Sequence, residues 1–397
     1  MRIPPDPSRP SAVRGVTASL LMIPLVGFLA LMPGATAATK TTRKTPTPTT
    51  ANRSTKTTIS KPTITAKTTV ITTSVATPAS LPPAKAGNVK LGFFPNVTHA
   101  TGLVAAQEGF FQKSLGSDVK LETFFFNAGP PEMEALLSGA LDAAYVGPSP
   151  AINSFTRSNR QALRVVAGAA DGGVFFVVKP SIGSAADLKG KKVASPNLGG
   201  TQDVALRYWL KSKGLTTTPE GGGDVSIVPQ ENAQTLETFR SGQIDGAWVP
   251  EPWATRLILE GGGKVLVDER DLWPNQVFTT TVLVVRTDFL KDRPDLVERL
   301  IQGQVNAVDW MHANPTKAQD AANTQIEKAT GKKLAAPVMS NAWVNITFTN
   351  DPEINTFKAG GQHAKDVGLL DKVSLDGIDD LTILNKVLTR SGKPKIS

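Results

Sequence analysis

The sequence predicts an α/β protein of two lobes. Each lobe is a mostly parallel sheet flanked by helices, two crossing segments join the lobes, and the C-terminal part is helical. Three observations carry this. From residue 88 onward, short apolar runs alternate with longer helix-like segments, the pattern of βα units. One stretch occurs twice, as EALLSGALDAAYVGPSP around 138 and ETFRSGQIDGAWVPEPW around 241. A second pair, VKLGFFPNVTHA and KKVASPNLGGTQD, repeats at nearly the same offset.

The first pair aligns Ser138-Gly139 with Ser241-Gly242, Asp142 with Asp245, and Tyr145 with Trp248. In each copy a helix runs to Ser, and Gly ends it because Gly takes the left-handed cap without a Cβ penalty. The apolar run that follows is too short for a helix and reads as a buried strand. Proline then stops the strand and opens the next helix. The second pair aligns Asn96 with Asn197. One α/β unit built twice is the reading taken.

In order, strands are expected at 89–94, 119–125, 141–146 and 163–168, with helices at 98–108, 131–137 and 149–156. VFFVVKP crosses to a second unit. Its strands lie at 192–194, 225–228, 244–249 and 264–267, and its helices at 202–213, 233–240 and 253–260. A strand at 282–285 returns to the first unit. The rest is helical, at 294–312, 317–329, 337–343, 354–367 and 381–389. The crossings, near 171–179 and 268–281, form a hinge with ligand in the cleft between lobes.

The formal charge of +9 is localised. Eleven basic residues and one acid lie before Asn88, leaving 32 basic against 33 acidic residues in the body. No basic face suggests nucleic acid there. Arg2, Arg9 and Arg14 precede an apolar run to Met32, followed by Ala35-Thr36-Ala37. This is a secretory signal peptide or an uncleaved membrane anchor. The Thr/Pro/Lys-rich stretch after it reads as a disordered stalk. The expected division is 1–37 leader, 38–87 stalk, 88–175 with 276–397 as lobe 1, and 176–275 as lobe 2.

Ligands of open α/β sheets bind outside the carboxyl ends of the strands. Four corners fall there: Pro95-Asn96-Val97-Thr98-His99, Gly147-Pro148-Ser149, Leu198-Gly199-Gly200-Thr201-Gln202 and Trp248-Val249-Pro250-Glu251. Free N–H groups at helix starts make such corners anion sites. Asn96, Ser149 and Thr201 are helix caps or ligand donors, and a cap can do both. His99 is a packed imidazole or a contact. Trp248 packs in a core or stacks on ligand. Glu251 is a first-turn dipole partner or the partner of an ammonium.

The chain has no cysteine, and its three histidines lack metal-ligand spacing. There is no GxGxxG, no Walker lysine and no GxSxG. No cofactor, metal or catalytic set is expected.

GFFPNVTHATGLVA, LLSGALDAAYVGPSPAI, ADLKGKKVASPNLGGTQ and SGQIDGAWVPEPWATRL resemble the substrate-binding proteins of ABC importers for aliphatic sulfonates, nitrate and taurine. The resemblance runs from about 89 to 285. It implies a type II periplasmic-binding-protein fold, an exported monomer, and an anionic solute handed to a membrane permease. It places ligand contacts on Asn96, His99, Gly147, Ser149, Gly172, Gly173, Gly200, Thr201, Trp248 and Glu251. A carboxylate at 251 suits an aminosulfonate. Nitrate or a thiamine-precursor pyrimidine is the alternative ligand. A pyrimidine synthase of thiamine biosynthesis is similar in fold but uses a cysteine-rich motif, and this chain has none. The resemblance places the protein in the periplasm or at the cell surface, tethered there if the leader is retained.

Overall fold

The computed structural model describes Leu81 and residues 84–397, so the expected leader and nearly all of the stalk lie outside the described residues. The first half runs β1 (Gly87–Phe93), α1 (Ala100–Gln107), α2 (Phe110–Leu115), β2 (Val119–Phe125), α3 (Gly129–Leu137), β3 (Ala143–Val146), α4 (Pro148–Arg157) and β4 (Leu163–Gly172). After one residue the chain enters the second sheet: β5 (Val174–Val178), β6 (Lys192–Ser195), α5 (Thr201–Ser212), β7 (Ser226–Pro229), α6 (Asn232–Arg240), β8 (Gly246–Pro250), α7 (Trp253–Leu259) and β9 (Lys264–Asp268). It returns through β10 (Thr279–Arg286). Then follow α8 (Thr287–Asp292), α9 (Pro294–Ala313), α10 (Pro315–Thr330), α11 (Ala336–Trp343), β11 (Ile346–Phe348), α12 (Ile354–Asp366) and α13 (Thr382–Arg390).

The two sheets have one design. Sheet one is ordered β2-β1-β3-β10-β4-β11 and sheet two β7-β6-β8-β5-β9. Strands β1, β2 and β3 pair in parallel, as do β6, β7 and β8. In each sheet a strand from a crossing is inserted antiparallel, β10 in the first and β5 in the second. By these pairings four of six strands and four of five point one way. The pairing is therefore mixed although the direction is mostly shared. A βα unit delivers parallel neighbours, while a strand arriving from the other lobe comes in reversed.

The repeat has a physical basis. Gly139 (φ 78°) and Gly242 (φ 75°) end α3 and α6 in the left-handed region. The Asp142 carboxylate accepts the Lys90 N–H at 2.9 Å, and Asp245 accepts the Lys192 N–H at 2.9 Å. Each Asp thus fixes the register of the third strand on the first: Leu91 faces Ala143, and Val193 faces Gly246.

Strand β5 shows why both faces of sheet two are covered. Val174, Phe176 and Val178 join one cluster with Trp209 and Trp248, while Phe175 and Val177 join another with Phe239 and Leu257. Side chains alternate across a strand, so a continuous apolar run is buried on both sides. In sheet one, α1, α9, α10 and α13 cover one face, and α3, α4 and α12 the other.

The first crossing is Gly172-Gly173, both with φ near 70°. A Cβ on Gly173 would lie 2.5 Å from Ile346 Cγ1, so position 173 needs glycine for conformation and for space. The second crossing runs through 3₁₀ turns at Glu269–Leu272 and Pro274–Gln276. Gly172 N–H donates to Phe278 O at 3.1 Å, tying the crossings together.

Observed bounds follow the expected ones within a few residues, with additions. The expected helix at 98–108 is a 3₁₀ turn, Val97–His99, leading into α1. Helices α2 and α8 and strand β11 were not anticipated; each is six residues or shorter. Among the described residues no helix is long and apolar enough to cross a membrane.

Candidate ligand-binding cleft

The carboxyl ends of both sheets meet across a cleft, and four helices start there. Helices α3 and α4 follow β2 and β3, and α5 and α6 follow β6 and β7. Their N-cap residues are Ala128, Gly147, Gly200 and Glu231, and no cap makes a side-chain hydrogen bond to its helix. Pro130, Pro131, Pro148 and Pro150 carry no N–H and Ser149 N–H donates to Thr201 Oγ1, so the first-turn N–H groups left to an occupant of the cleft come mainly from α5 and α6. Each helix start carries about half a positive charge.

Between these starts lies an inner cavity of about 40 Å³. Asn96, His99, Gly147, Gly200 and Thr201 line it. Asn127, Gly129, Asn197, Asn232, Thr280 and Thr281 line it too; of these the sequence named only Asn197, as the repeat partner of Asn96. The signal was present: 127–129 and 232 lie at the carboxyl ends of the second strand in each half, where the same rule applies. No charged side chain lines this cavity among the described residues. Thr281 Oγ1 and Asn232 Oδ1 are buried without a hydrogen-bond partner.

His99 is 3 % exposed, and its ring stacks on Phe94 at 4.3 Å. Its Nδ1 accepts the Phe94 N–H at 3.3 Å, which leaves Nε2–H as the donor of a neutral ring. Burial pushes its pKa down to about 3. The cleft is closed in this structure. Trp253 Nε1 donates to Asn96 Oδ1 at 2.9 Å, and Ser149 N–H donates to Thr201 Oγ1 at 3.3 Å. Tyr208 stacks on His363 at 3.6 Å on the far side.

The remaining expected residues lie around the cavity rather than in its wall. Ser149 lines a neighbouring void of about 30 Å³ together with Thr201, Trp273 and His363. Gly172 and Gly173 form the crossing. Trp248 is fully buried in sheet two, stacked on Phe176 at 5.3 Å, with its Nε1 donating to Glu269 at 2.6 Å. Glu251, 1 % exposed, accepts from Thr255 N–H at 3.1 Å, Thr255 Oγ1 at 2.8 Å and Asn345 Nδ2 at 2.7 Å. Burial raises its pKa against these hydrogen bonds. Both its oxygens are engaged within the protein, on the α7 side and across to the other lobe.

An outer chamber of about 660 Å³ opens beyond the inner cavity, between α6 and α7 on one side and the α10–α11 turn on the other. Phe94, Asn96, Asn127 and Asn232 border both spaces.

The profile of the NMT1-like family matches residues 82–326. A protein of Brucella abortus (strain 2308), named only as a binding protein, is 26 % identical over 279 residues, covering 65 % of this chain and 78 % of its own. The nitrate/nitrite binding protein NrtA of Nostoc sp. is 24 % identical over 293 residues, covering 68 % and 64 %. An aliphatic sulfonates-binding protein of Bacillus subtilis (strain 168) is 25 % identical over 244 residues, covering 60 % and 70 %. Two solved structures share the fold. The periplasmic nitrate-binding protein NrtA of Synechocystis PCC 6803 matches with a TM-score of 0.66 at 16 % identity, over 78 % of this chain and 90 % of its own. The alkanesulfonate-binding protein SsuA of Xanthomonas axonopodis pv. citri, bound to MOPS, matches with 0.60 at 18 %, over 74 % and 96 %. The two-lobed fold is that of the periplasmic binding proteins, and the chain belongs to the NMT1-like family.

Proposed function

We propose that this protein is the solute-binding component of an ABC-type importer. It captures a sulfonate-type anion between its lobes and presents it to a membrane permease from the extracytoplasmic side. One observation carries the reading: four uncapped helix starts, two from each lobe, converge on an inner cavity with no charged side chain in its wall. Dipole ends and neutral donors hold an anion without the cost of burying a charged pair. Asn96, His99, Gly147, Gly200 and Thr201 are the proposed contacts, joined by Thr281, whose buried hydroxyl has no partner, and by Asn232 in the same wall. Thr281 supplies a hydroxyl proton, and Asn232 supplies its amide N–H groups. Ser149 acts through Thr201, whose Oγ1 its backbone N–H holds from the opposite lobe. Trp248, Glu251 and the Gly172-Gly173 crossing support the closed form.

Binding rather than catalysis is supported by the names of the relatives. It is also supported by the wall itself, whose one titratable side chain, His99, is held neutral. Nitrate is the second reading, favoured by the small inner volume. A thermal-shift and calorimetric screen of the purified protein against nitrate, methanesulfonate and taurine tests the class. A ligand at a hundred times its Kd adds about 2.7 kcal/mol of stability. No shift with any anion would sink the reading.

A further inference from the structure

On the second lobe, one turn supplies most of the inner cavity's wall. Strand β6 ends at Ser195 and α5 begins at Thr201; Pro196, Asn197 and Gly200 between them line the cavity together with Thr201 and Gln202. The turn is tight. Gly199 has a φ of 71°, and a Cβ on Gly200 would lie 2.6 Å from Asn197 Oδ1. Asp203 lies behind this turn, fully buried and outside the wall. Its Oδ1 accepts from Ser195 Oγ at 2.7 Å, and its Oδ2 accepts from the Gly199 N–H at 3.0 Å. One carboxylate thus ties the end of β6, the glycine turn and the first turn of α5 together.

A carboxylate in that place conflicts with an anion site. A negative charge in the first turn of α5 opposes the positive helix start and repels an anion held there. Arg207, one turn further along α5 and 1 % exposed, meets it: its Nε donates to Asp203 Oδ2 at 3.0 Å. Its Nη1 donates to Thr218 O, and its Nη2 is buried without a hydrogen-bond partner. We propose that Asp203 and Arg207 are positioning residues of the anion site. Asp203 holds the 196–200 turn in the shape that lines the cavity, and Arg207 cancels the charge that Asp203 brings to the start of α5. The pair leaves that helix start its dipole and no net side-chain charge. This inference rests on the anion reading above.

Calorimetric titration of the full-length protein with nitrate and methanesulfonate tests this. Asparagine at 203 keeps the tie without the charge, since its Oδ1 accepts from the Gly199 N–H and its Nδ2 donates to Ser195 Oγ. Asp203→Asn combined with Arg207→Met is thus neutral and tied, and is expected to bind within about threefold of the unmodified protein. Asp203→Ala combined with Arg207→Met is neutral and untied, and is expected to bind at least about tenfold more weakly. Arg207→Met alone uncovers the carboxylate and is expected to weaken binding about tenfold or more. Asp203→Asn alone leaves the cation in place and is expected to bind at least as tightly as the neutral, tied variant. A merely structural pair would give no such order, because each added substitution would weaken binding further. The double variants bury no lone charge, so they decide the matter even where a single variant does not fold. Equal affinities in the two double variants overturn the role of Asp203. A loss in Arg207→Met that Asp203→Asn does not restore, or a double variant at 203 and 207 that binds more tightly than Asp203→Asn alone, overturns the role of Arg207; both results leave the anion reading standing. If the unmodified protein binds neither anion, the anion reading fails and takes this inference with it.

Discussion

Trp253 and Asn96 are hydrogen-bonded across the cleft, with the indole Nε1 donating to the carboxamide oxygen at 2.9 Å. Asn96 precedes the first turn after β1, and Trp253 is the first residue of α7. The bond joins the two lobes at the border of the inner cavity and exists only when they are closed. Trp253→Phe keeps the ring and leaves the 6 % exposed Asn96 without its partner. An unpaired buried group costs about 1–3 kcal/mol. Ligand affinity is predicted to fall about five- to a hundredfold, mainly through faster dissociation, with the melting temperature without ligand unchanged. Stopped-flow dissociation measures this; an unaltered rate would show that the bond plays no part in holding ligand.

Gly147, the N-cap of α4, packs against Thr201, the first residue of α5. A Cβ there would lie 2.5 Å from Thr201 Oγ1, on the opposite lobe. Its φ of −69° is ordinary, so alanine strains nothing within its own lobe. Gly147→Ala is therefore predicted to hold the lobes apart without unfolding either. Binding should weaken at least about tenfold, and the radius of gyration with saturating ligand should stay at its ligand-free value. Small-angle scattering checks this; a normal contraction on binding would refute it.

Two kinds of feature differ in how readable they were. The repeat was legible because its residues act locally. Gly139 and Gly242 end helices, and prolines open the next ones. Such signals lie within a few positions of what they cause. Thr280 and Thr281 were not legible as cavity wall, because β10 reaches sheet one only after the chain has built the whole of sheet two. Trp248 shows the same limit. Its alternatives, core or ligand, were separated by Phe176, Trp209 and Glu269, which fill the space around it.

The paired aspartates make a comparison within one molecule. Asp142 and Asp245 each accept a backbone N–H from the neighbouring first strand. A hydrogen bond to a charged group is worth about 1.5–3 kcal/mol. Asp142 also lies 3.5 Å from Arg286, with side-chain exposures of 14 % and 22 %. Asp142→Ala should therefore destabilise by about 2–3 kcal/mol and Asp245→Ala by somewhat less. Denaturant unfolding gives both values. Equal losses would mean that Arg286 contributes nothing through Asp142.

Three buried groups contribute to the pH dependence of stability with opposite signs. Burial, then the charges of Glu353 and Asp351, pushes Asp171 up to about 8. Burial pushes Glu269 up to about 7, against hydrogen bonds from Trp248 and Trp273. Above roughly pH 4 the unfolded chain releases these protons while the folded chain keeps them. The stability they contribute is thus fully present in acid and is lost as pH rises through about 7 and 8. His99 works the other way. The unfolded imidazole takes up a proton below about pH 6.5 and the buried ring does not, so its contribution is lost as pH falls toward 3. Above about pH 6.5 His99 is silent and the carboxyls alone act. Melting temperatures at about pH 6.5 and 8.5 are therefore predicted to fall for the unmodified protein and to fall less for Asp171→Asn, whose side chain has no proton to lose. Glu269→Gln should remove the earlier part of the fall and still accept from the Trp248 indole through its amide oxygen. If Asp171→Asn loses as much between the two pH values as the unmodified protein, Asp171 is already ionised in the folded chain, and the acidic neighbours do not hold its proton.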